Sequence, residues 1–225
     1  MEPTKTIEQK LDEGRQYRNF DVSGFERRSV DDGEKTVEGY ATTFNQPYEL
    51  YRFNGDGYVY IVNEQVDARA FDETDMSDVI MQYDHKGRVF ARTGNNTLTL
   101  EPDGHGLRIR ADLGGTEIGR QLFEEIEGGY TDKMSFGFRV GEDKREETEE
   151  WNEETGVRTV TVLRTITKIS KLYDVSAVSL PANDATSISA RSYCEGVVAE
   201  LEKEFLMREQ RDRQKHKIKI LTEVL

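Results

Sequence analysis

Residues 133–140 read Lys-Met-Ser-Phe-Gly-Phe-Arg-Val and alternate between apolar side chains and small or polar ones. The apolar members of this alternation are Met134, Phe136, Phe138 and Val140. A period of two predicts a half-buried strand whose apolar side chains face the core. The Ser135 hydroxyl then points to the opposite face, where Gly137 has no side chain and leaves room for another backbone. A serine nucleophile would use such an arrangement.

Short strand patterns separated by turn signals recur along most of the 225 residues. They cover residues 36–44, 48–63, 79–83, 89–92, 98–100, 107–113, 158–169 and 171–180. One segment, residues 115–128, instead has the apolar spacing of a helix and ends in two glycines. We therefore predict a mostly β (α+β) domain over residues 28–191.

Both ends of the chain and one internal segment differ from this pattern. Residues 1–27 predict a polar N-terminal arm with a short helix around residues 6–18. The acidic residues 141–156 predict a long solvated loop. Residues 192–225 predict a helical C-terminal tail, in which a helical stripe is formed by Val197, Val198, Leu201, Phe205 and Leu206.

Composition excludes several functions. The formal net charge of -13, from 44 acidic and 31 basic residues, disfavours binding to nucleic acid or to anionic membranes. A single cysteine, Cys194, excludes an intramolecular disulfide and a cysteine-based zinc site. There is no closely spaced histidine pair and no glycine-rich phosphate loop, so we expect no metal and no cofactor. Residues 1–15 lack a signal-peptide pattern and no segment has the length of a membrane span, which favours a soluble intracellular protein.

The candidates for a general base are few, because the chain contains three histidines. His85 ends a buried-type strand, whereas His105 lies in a turn-like sequence and His216 in a basic run. A serine nucleophile needs a base within hydrogen-bond reach, and histidine is the side chain with a suitable pKa. From its position alone, His85 is as consistent with an ordinary loop residue as with that base.

A carboxylate commonly orients the imidazole of such a pair. Asp174 lies inside an otherwise apolar strand, and burial of an unpaired carboxylate is costly, so this residue needs a partner. That partner is either the imidazole or a nearby arginine, and the sequence spacing does not decide between them.

Taken in order, several short motifs resemble the prohead maturation proteases of tailed bacteriophages, which are related in fold to the herpesvirus assemblin proteases. These motifs are EGYATTFN (38–45), AF (70–71), YDH (83–85), GL (106–107), MSFGF (134–138), LYDVS (172–176) and PA (181–182). The resemblance covers about residues 36–191. It implies an assemblin-like β-barrel protease core flanked by helices.

The resemblance also implies roles for individual residues. His85 corresponds to the motif histidine, Ser135 to the nucleophile and Asp174 to a position where relatives have Glu or Asp. Assemblin relatives use a second histidine as the third member, so His105 is the alternative. Relatives often have Asn before the histidine and Asp after it, where this chain has Asp84 and Lys86. The family suggests oxyanion donors in the loop after the nucleophile strand, including the region following Pro181.

The implied function is that of a serine endopeptidase that needs no cofactor. It would be located in the host cytoplasm, inside the procapsid, and would cleave scaffold and also itself. The implied partners are the major capsid protein, a separate scaffold protein or both, and relatives suggest a homo-oligomer. The net charge and the lack of a membrane span predict no nucleic-acid or membrane partner. The alternative is a non-enzymatic capsid-assembly protein with a protease-like fold, whose helical tail docks scaffold or capsid protein.

Overall fold

A computed structural model of the protein describes residues 14–20, 26–28, 35–55, 57–178 and 184–223. These residues form eleven strands, two α-helices and a 3-10 turn at Thr93–Asn95. The strands are β1 (Gln16–Phe20), β2 (Glu26–Arg28), β3 (Thr36–Thr43), β4 (Tyr48–Asn54), β5 (Tyr58–Val66), β6 (Ile80–Tyr83), β7 (Lys86–Arg92), β8 (Leu98–Pro102), β9 (Gly106–Asp112), β10 (Lys133–Asn152) and β11 (Val157–Val178). The helices are α1 (Glu117–Glu127) and α2 (Asp184–Glu223).

The strands form two sheets. The larger has the order β1-β10-β11-β5-β4, with β6 pairing both β11 and β7, and the smaller has the order β2-β3-β9-β8. β11 pairs antiparallel with β10 but parallel with β5 over residues 158–166 and with β6 over residues 174–177. The predicted mostly β (α+β) class is confirmed. Within the described residues, however, both sheets are open and no barrel closes.

The hydrophobic core lies between the two sheets, as the alternation in residues 133–140 predicts. Met134, Phe136 and Phe138 of β10 belong to the same buried cluster as Leu107 and Ile109 of β9. An isolated bridge between Phe44 and Val66 joins the two sheets at one corner. The Ser135 side of β10 therefore faces away from this cluster.

Helix α1 agrees with its prediction. The Thr116 side chain accepts a hydrogen bond from the Gly119 amide at 3.0 Å, which caps the first turn. Leu122, Phe123 and Ile126 are buried in the core cluster. The apolar spacing thus places one face of this helix against the sheets.

The predicted acidic loop at residues 141–156 is wrong. These residues form the distal half of β10 and the turn into β11, in a hairpin that pairs out to Asn152 and Val157. Every residue of β10 from Gly141 onward is exposed. Because an exposed strand can carry charged side chains without burying them, the acidic composition is compatible with β-structure as well as with a loop.

The described part of the N-terminal arm also differs from its prediction. Gln16–Phe20 is a strand that pairs antiparallel with β10, so the helix expected over residues 6–18 is wrong for residues 16–18. Residues 1–13 lie outside the described part of the chain. The strand forms because β10 offers it an otherwise unpaired edge, which the local sequence does not reveal.

The C-terminal tail is helical, as predicted. Cys194, Val197 and Val198 of α2 are buried, whereas Leu206 is 57% exposed. The first part of the predicted stripe thus packs on the protein's own domain. No helix among the described residues is long and apolar enough to span a membrane. The domain boundaries at residues 28 and 191 stay predictions.

Candidate active site

Three elements of the larger sheet position the candidate site. Ser135 lies on β10 opposite Ser176 of β11, and Gly137 lies opposite Asp174. Directly paired residues of an antiparallel pair share a face, so Ser135, Gly137, Asp174 and Ser176 lie on the same side of the sheet. His85 comes from the tight turn between β6 and β7.

The turn that carries His85 has a specific backbone conformation. Asp84 and His85 are its two central residues, and both have positive φ, 47° and 56°. Positive φ at both positions is what a type I′ hairpin turn requires. The Asp84 amide donates to the Ala177 carbonyl at 3.0 Å, and the His85 amide donates to Ser176 Oγ at 3.2 Å. Strand β11 therefore fixes the turn and, with it, the imidazole.

The side chains of this cluster form a continuous hydrogen-bond chain. His85 Nε2 lies 2.6 Å from Ser135 Oγ, and His85 Nδ1 contacts Asp174 Oδ1. A carboxylate only accepts hydrogen bonds, so Nδ1 carries the proton in this pair. In the neutral imidazole, Nε2 is then the acceptor, and Ser135 can donate its one proton either to Nε2 or to the Arg18 carbonyl oxygen, 2.9 Å from Oγ. This is the protonation state in which a histidine can take a proton from a serine.

Ser176 contacts both members of the pair formed by His85 and Asp174. Its Oγ donates to Asp174 Oδ1 at 3.2 Å and lies 3.2 Å from His85 Nδ1. Ser176 is two residues after Asp174, so the period of two places both side chains on one face of β11. That period is the signal in the sequence that could have identified this residue.

Tyr17 of β1 covers the imidazole. Its ring centroid lies 4.4 Å from that of His85, with the ring planes tilted by 58°. Burial and the negative charge of Asp174 raise the pKa of Tyr17, so this residue stays a neutral phenol. His85, Ser135 and Asp174 are 0%, 0% and 1% exposed, because β1 closes the site on this side.

Gly137 provides space in this cluster. The sequence predicts that another backbone fills this space, but the side chains of Asp174 and Tyr17 fill it instead. A Cβ at this position would collide with the Asp174 carboxylate and would lie 2.7 Å from Tyr17 Cε1. The empty position is therefore what allows the carboxylate and the phenol ring to approach the imidazole.

A second polar cluster, here called the Glu64 cluster, is formed by Arg18, Tyr48, Glu64, Asp143 and Arg164. The Arg18 backbone links it to Ser135, whereas the Arg18 side chain lies on the other face of the sheet, because Arg18 is paired with Phe136. Arg18 donates through Nε and Nη2 to the two oxygens of Glu64, at 2.5 and 3.0 Å. Arg164 bridges Glu64 and Asp143, at 2.9 and 2.5 Å, and the Tyr48 hydroxyl donates to Glu64 at 2.5 Å.

The charges of this cluster balance one another. Burial opposes ionisation of Glu64, but the guanidinium of Arg18, together with Arg164 and the Tyr48 hydroxyl, outweighs it and lowers the pKa of Glu64. Burial and the negative charge of Glu64 raise the pKa of Tyr48 well above its usual value. Burial also raises the pKa of the nearby Cys194 thiol to about 12, so this thiol stays protonated. The sequence offered no local signal for this cluster.

The remaining sequence candidates lie elsewhere. His105 is exposed in the turn between β8 and β9 of the smaller sheet, edge-to-face against Tyr40 at 4.6 Å. Asp174, rather than His105, contacts the second nitrogen of His85. His216 lies on α2, and Pro181 lies outside the described residues. In the described ranges, no group of three or more His, Cys, Asp or Glu side chains could hold a metal ion.

A hydroxyl, an imidazole and a carboxylate joined in this order are the arrangement found in serine hydrolases. The family model for the caudovirus prohead serine proteases matches residues 23–198, and the chain belongs to this family. It is therefore a serine protease of the phage prohead, with a role in capsid maturation that associates it with capsid components inside the procapsid. Searches of curated proteins and of solved structures found no similar protein.

Proposed function

We propose that Ser135, His85 and Asp174 are the catalytic residues of an endopeptidase that cleaves scaffold inside the prohead and also cleaves its own chain. The scaffold is either a separate protein or a segment of the major capsid protein. The observation that carries the proposal is the hydrogen-bond chain from Ser135 Oγ through the His85 ring to Asp174. These contacts join residues 50 and 89 positions apart in the sequence.

The mechanism follows from the protonation state of this chain. Ser135 attacks the scissile carbonyl carbon as its proton passes to His85 Nε2, and the resulting imidazolium donates to both neighbours. Asp174 stabilises that charge, and Ser176 and Tyr17 hold the carboxylate and the ring in place. His85 then protonates the leaving amine, and water hydrolyses the acyl-enzyme. Backbone N–H groups stabilise the oxyanion.

The setting proposed for this reaction is the procapsid in the host cytoplasm. The partners are the major capsid protein, a separate scaffold protein or both, and the protease acts as a homo-oligomer away from membranes. The net charge of -13 supports independence from nucleic acid, since such a chain is repelled by phosphates. The bridge between Phe44 and Val66 supports a relationship of the two-sheet core to the assemblin barrel, because it links the sheets at one corner.

The alternative, a non-enzymatic assembly protein, relies on the helical tail as a docking surface. Burial of Val197 and Val198 removes two of the five residues of that stripe from any partner. A vestigial site would also have no need for a strained turn that directs His85 at Ser135. Both observations favour the enzyme.

Ser135→Ala tests this function directly. The variant should lose cleavage of purified scaffold and capsid proteins by about 10³-fold or more, because no nucleophile remains. Its melting temperature should stay close to that of the wild type. The matched control is Ser170→Ala on β11, whose hydroxyl donates to the Arg139 carbonyl at 3.2 Å and lies outside the cluster. Wild-type rates of cleavage by Ser135→Ala would overturn the assignment.

A further inference from the structure

We propose that β1 lies in the active site as a substrate: Ser135 cleaves the Arg18–Asn19 bond of its own chain, and the Glu64 cluster is the pocket that selects arginine before the scissile bond. The inference rests on the proposed function. It adds to that function the position of self-cleavage and a substrate preference.

The backbone of β1 is placed as a bound peptide would be. Residues 16–20 pair antiparallel with residues 134–138, the part of β10 that contains the candidate nucleophile. Addition of an extended peptide to a sheet edge is a common mode of peptide recognition. Ser135 Oγ donates a hydrogen bond to the Arg18 carbonyl oxygen at 2.9 Å, and Asn19 lies opposite Ser135 in the register. The hydroxyl is therefore beside the peptide group that joins Arg18 to Asn19.

The Arg18 side chain is enclosed as the specificity residue of a substrate would be. It is 1% exposed, and its planar guanidinium meets both oxygens of Glu64. The same guanidinium lies 5.7 Å from the centre of the Phe138 ring, on the strand that carries Ser135. This bidentate contact is specific for the planar guanidinium of arginine, whereas a lysine ammonium would pair with the carboxylate as a single point charge.

The charge of the Glu64 cluster without Arg18 favours a cationic side chain in the pocket. Without Arg18, the Glu64 cluster retains the buried carboxylate of Glu64 and the partly exposed carboxylate of Asp143 against one cation, Arg164. A cluster with one excess negative charge around the buried Glu64 favours a cation and rejects an apolar side chain, which would leave Glu64 without its main counter-charge.

The position of β1 also explains why Ser135 is inaccessible. The hydroxyl is completely buried beneath the strand, so no scaffold segment reaches it while β1 is in place. Cleavage after Arg18 separates residues 1–18 from the rest of the chain. Release of that fragment then opens both the nucleophile and the arginine pocket to other substrates.

The reaction balances without a further cofactor. Ser135 Oγ bonds to the Arg18 carbonyl carbon as its proton moves to His85 Nε2. The bond from that carbon to the Asn19 nitrogen then breaks, and the nitrogen takes the proton from His85. Water, with His85 as base, hydrolyses the Arg18 ester, which restores the Ser135 hydroxyl and leaves a carboxylate on Arg18.

The first test follows the N-terminus of the full chain. Purified wild-type protein should begin at Asn19 by N-terminal sequencing and intact mass, whereas Ser135→Ala should retain residues 1–18. Arg18→Ala in the active chain should slow the cut by at least about 10²-fold. The matched control is Arg15→Ala, three residues earlier, whose guanidinium lies 3.7 Å from the centre of the Tyr173 ring. This control should still be cut after Arg18.

The second test separates recognition from folding, because loss of Arg18 also removes a buried ion pair. The full chain is given a synthetic peptide with the sequence of residues 12–24, and matched peptides with Ala or Lys in place of Arg18. The rate kcat/KM should fall at least about 10²-fold for Ala and less for Lys. Glu64→Gln should lower the ratio of Arg to Ala cleavage, which a purely structural Glu64 would leave unchanged.

The outcomes distinguish this inference from the proposed function. If wild-type protein cleaves scaffold or reacts with a fluorophosphonate at Ser135, yet keeps residues 1–18 and shows no preference for arginine, β1 is a permanent strand and the inference falls. If the protein cleaves no substrate and Ser135 does not react, the proposed function itself falls.

Discussion

The two ends of the β10–β11 hairpin share one ladder but have opposite environments. At the proximal end, residues 134–138 and 172–178 are buried except for the half-buried Tyr173, and they carry Ser135, Asp174 and Ser176. At the distal end, β10 is exposed and acidic, with side chains such as Glu149 and Trp151 in solvent. The difference arises because β1, the β6–β7 turn and the smaller sheet cover only the proximal end. Burial is decided by what packs on a strand, rather than by the strand itself.

Substitutions at the two ends of the hairpin should differ in their effect on stability and activity. At the proximal end, each polar group touches another buried polar group, so a single change leaves a partner unsatisfied. At the distal end, water replaces any lost contact. We therefore expect large effects at the first end and small ones at the second.

Asp174→Asn should have the largest effect among changes that retain side-chain size. The amide can donate to Nδ1, which favours the tautomer whose Nε2 no longer accepts the Ser135 proton. We expect kcat to fall by about 10⁴-fold. Steady-state cleavage of a peptide substrate measures kcat, and circular dichroism shows whether the variant is folded. A fall of less than tenfold in a folded variant would contradict the role of Asp174.

Gly137→Ala should reduce both stability and activity. The added methyl group would collide with the Asp174 carboxylate and the Tyr17 ring. Overpacking of this kind costs about 1–3 kcal/mol, which urea unfolding would measure as a shift in midpoint. The control is Gly104→Ala in the turn between β8 and β9, where a Cβ meets no atom within 4 Å. Equal stability of the two variants would show that Gly137 provides no essential space.

Ser176→Ala should have a moderate effect. The change removes the hydrogen bonds to Asp174 and to the His85 amide, but leaves the contact between the imidazole and the carboxylate. An ordinary hydrogen bond contributes about 0.5–1.5 kcal/mol and one to a charged carboxylate up to about 3 kcal/mol, so kcat should fall by about 2- to 100-fold. Ser176→Thr retains the hydroxyl and should recover part of that loss. No change in kcat for the alanine variant would exclude a positioning role.

Glu149→Gln at the distal end should have the smallest effect. Glu149 pairs with Arg158 at 3.0 Å and with Arg208 at 3.5 Å, and it is 42% exposed. Pairs of this kind contribute about 0–1 kcal/mol, because water and salt screen them. The free energy of unfolding should change by no more than that and kcat/KM should not change. A loss of activity would mean that the distal end of the hairpin is coupled to the site at the proximal end.

The same comparison explains which sequence predictions were correct. The proximal strand of Ser135 and helix α1 were predicted because their apolar periodicity reflects a nearby core. The distal strand was mistaken for a loop, since an exposed edge strand needs no apolar alternation. Strand β1 was missed for a related reason, because its pairing depends on an edge more than 110 residues away.

For the candidate site, the sequence indicated which residue types could act, and the resemblance indicated their positions. The roles of Ser135, His85 and Asp174 stay proposals, although the structure brings the three together. Tyr17, Ser176 and the Glu64 cluster were not identified. Only Ser176 had a sequence signal, through its spacing from Asp174.

The amino-acid sequence by itself determined the class of the fold, the face of β10 on which Ser135 lies and the position of helix α1, because these depend on side-chain periods of two or 3.6 residues. The tertiary structure decided the tautomer of His85, the burial of Ser135 beneath β1 and the enclosure of Arg18 by Glu64. Those features depend on contacts between residues 46 to 117 positions apart, and short-range periodicity carries no information about such distances.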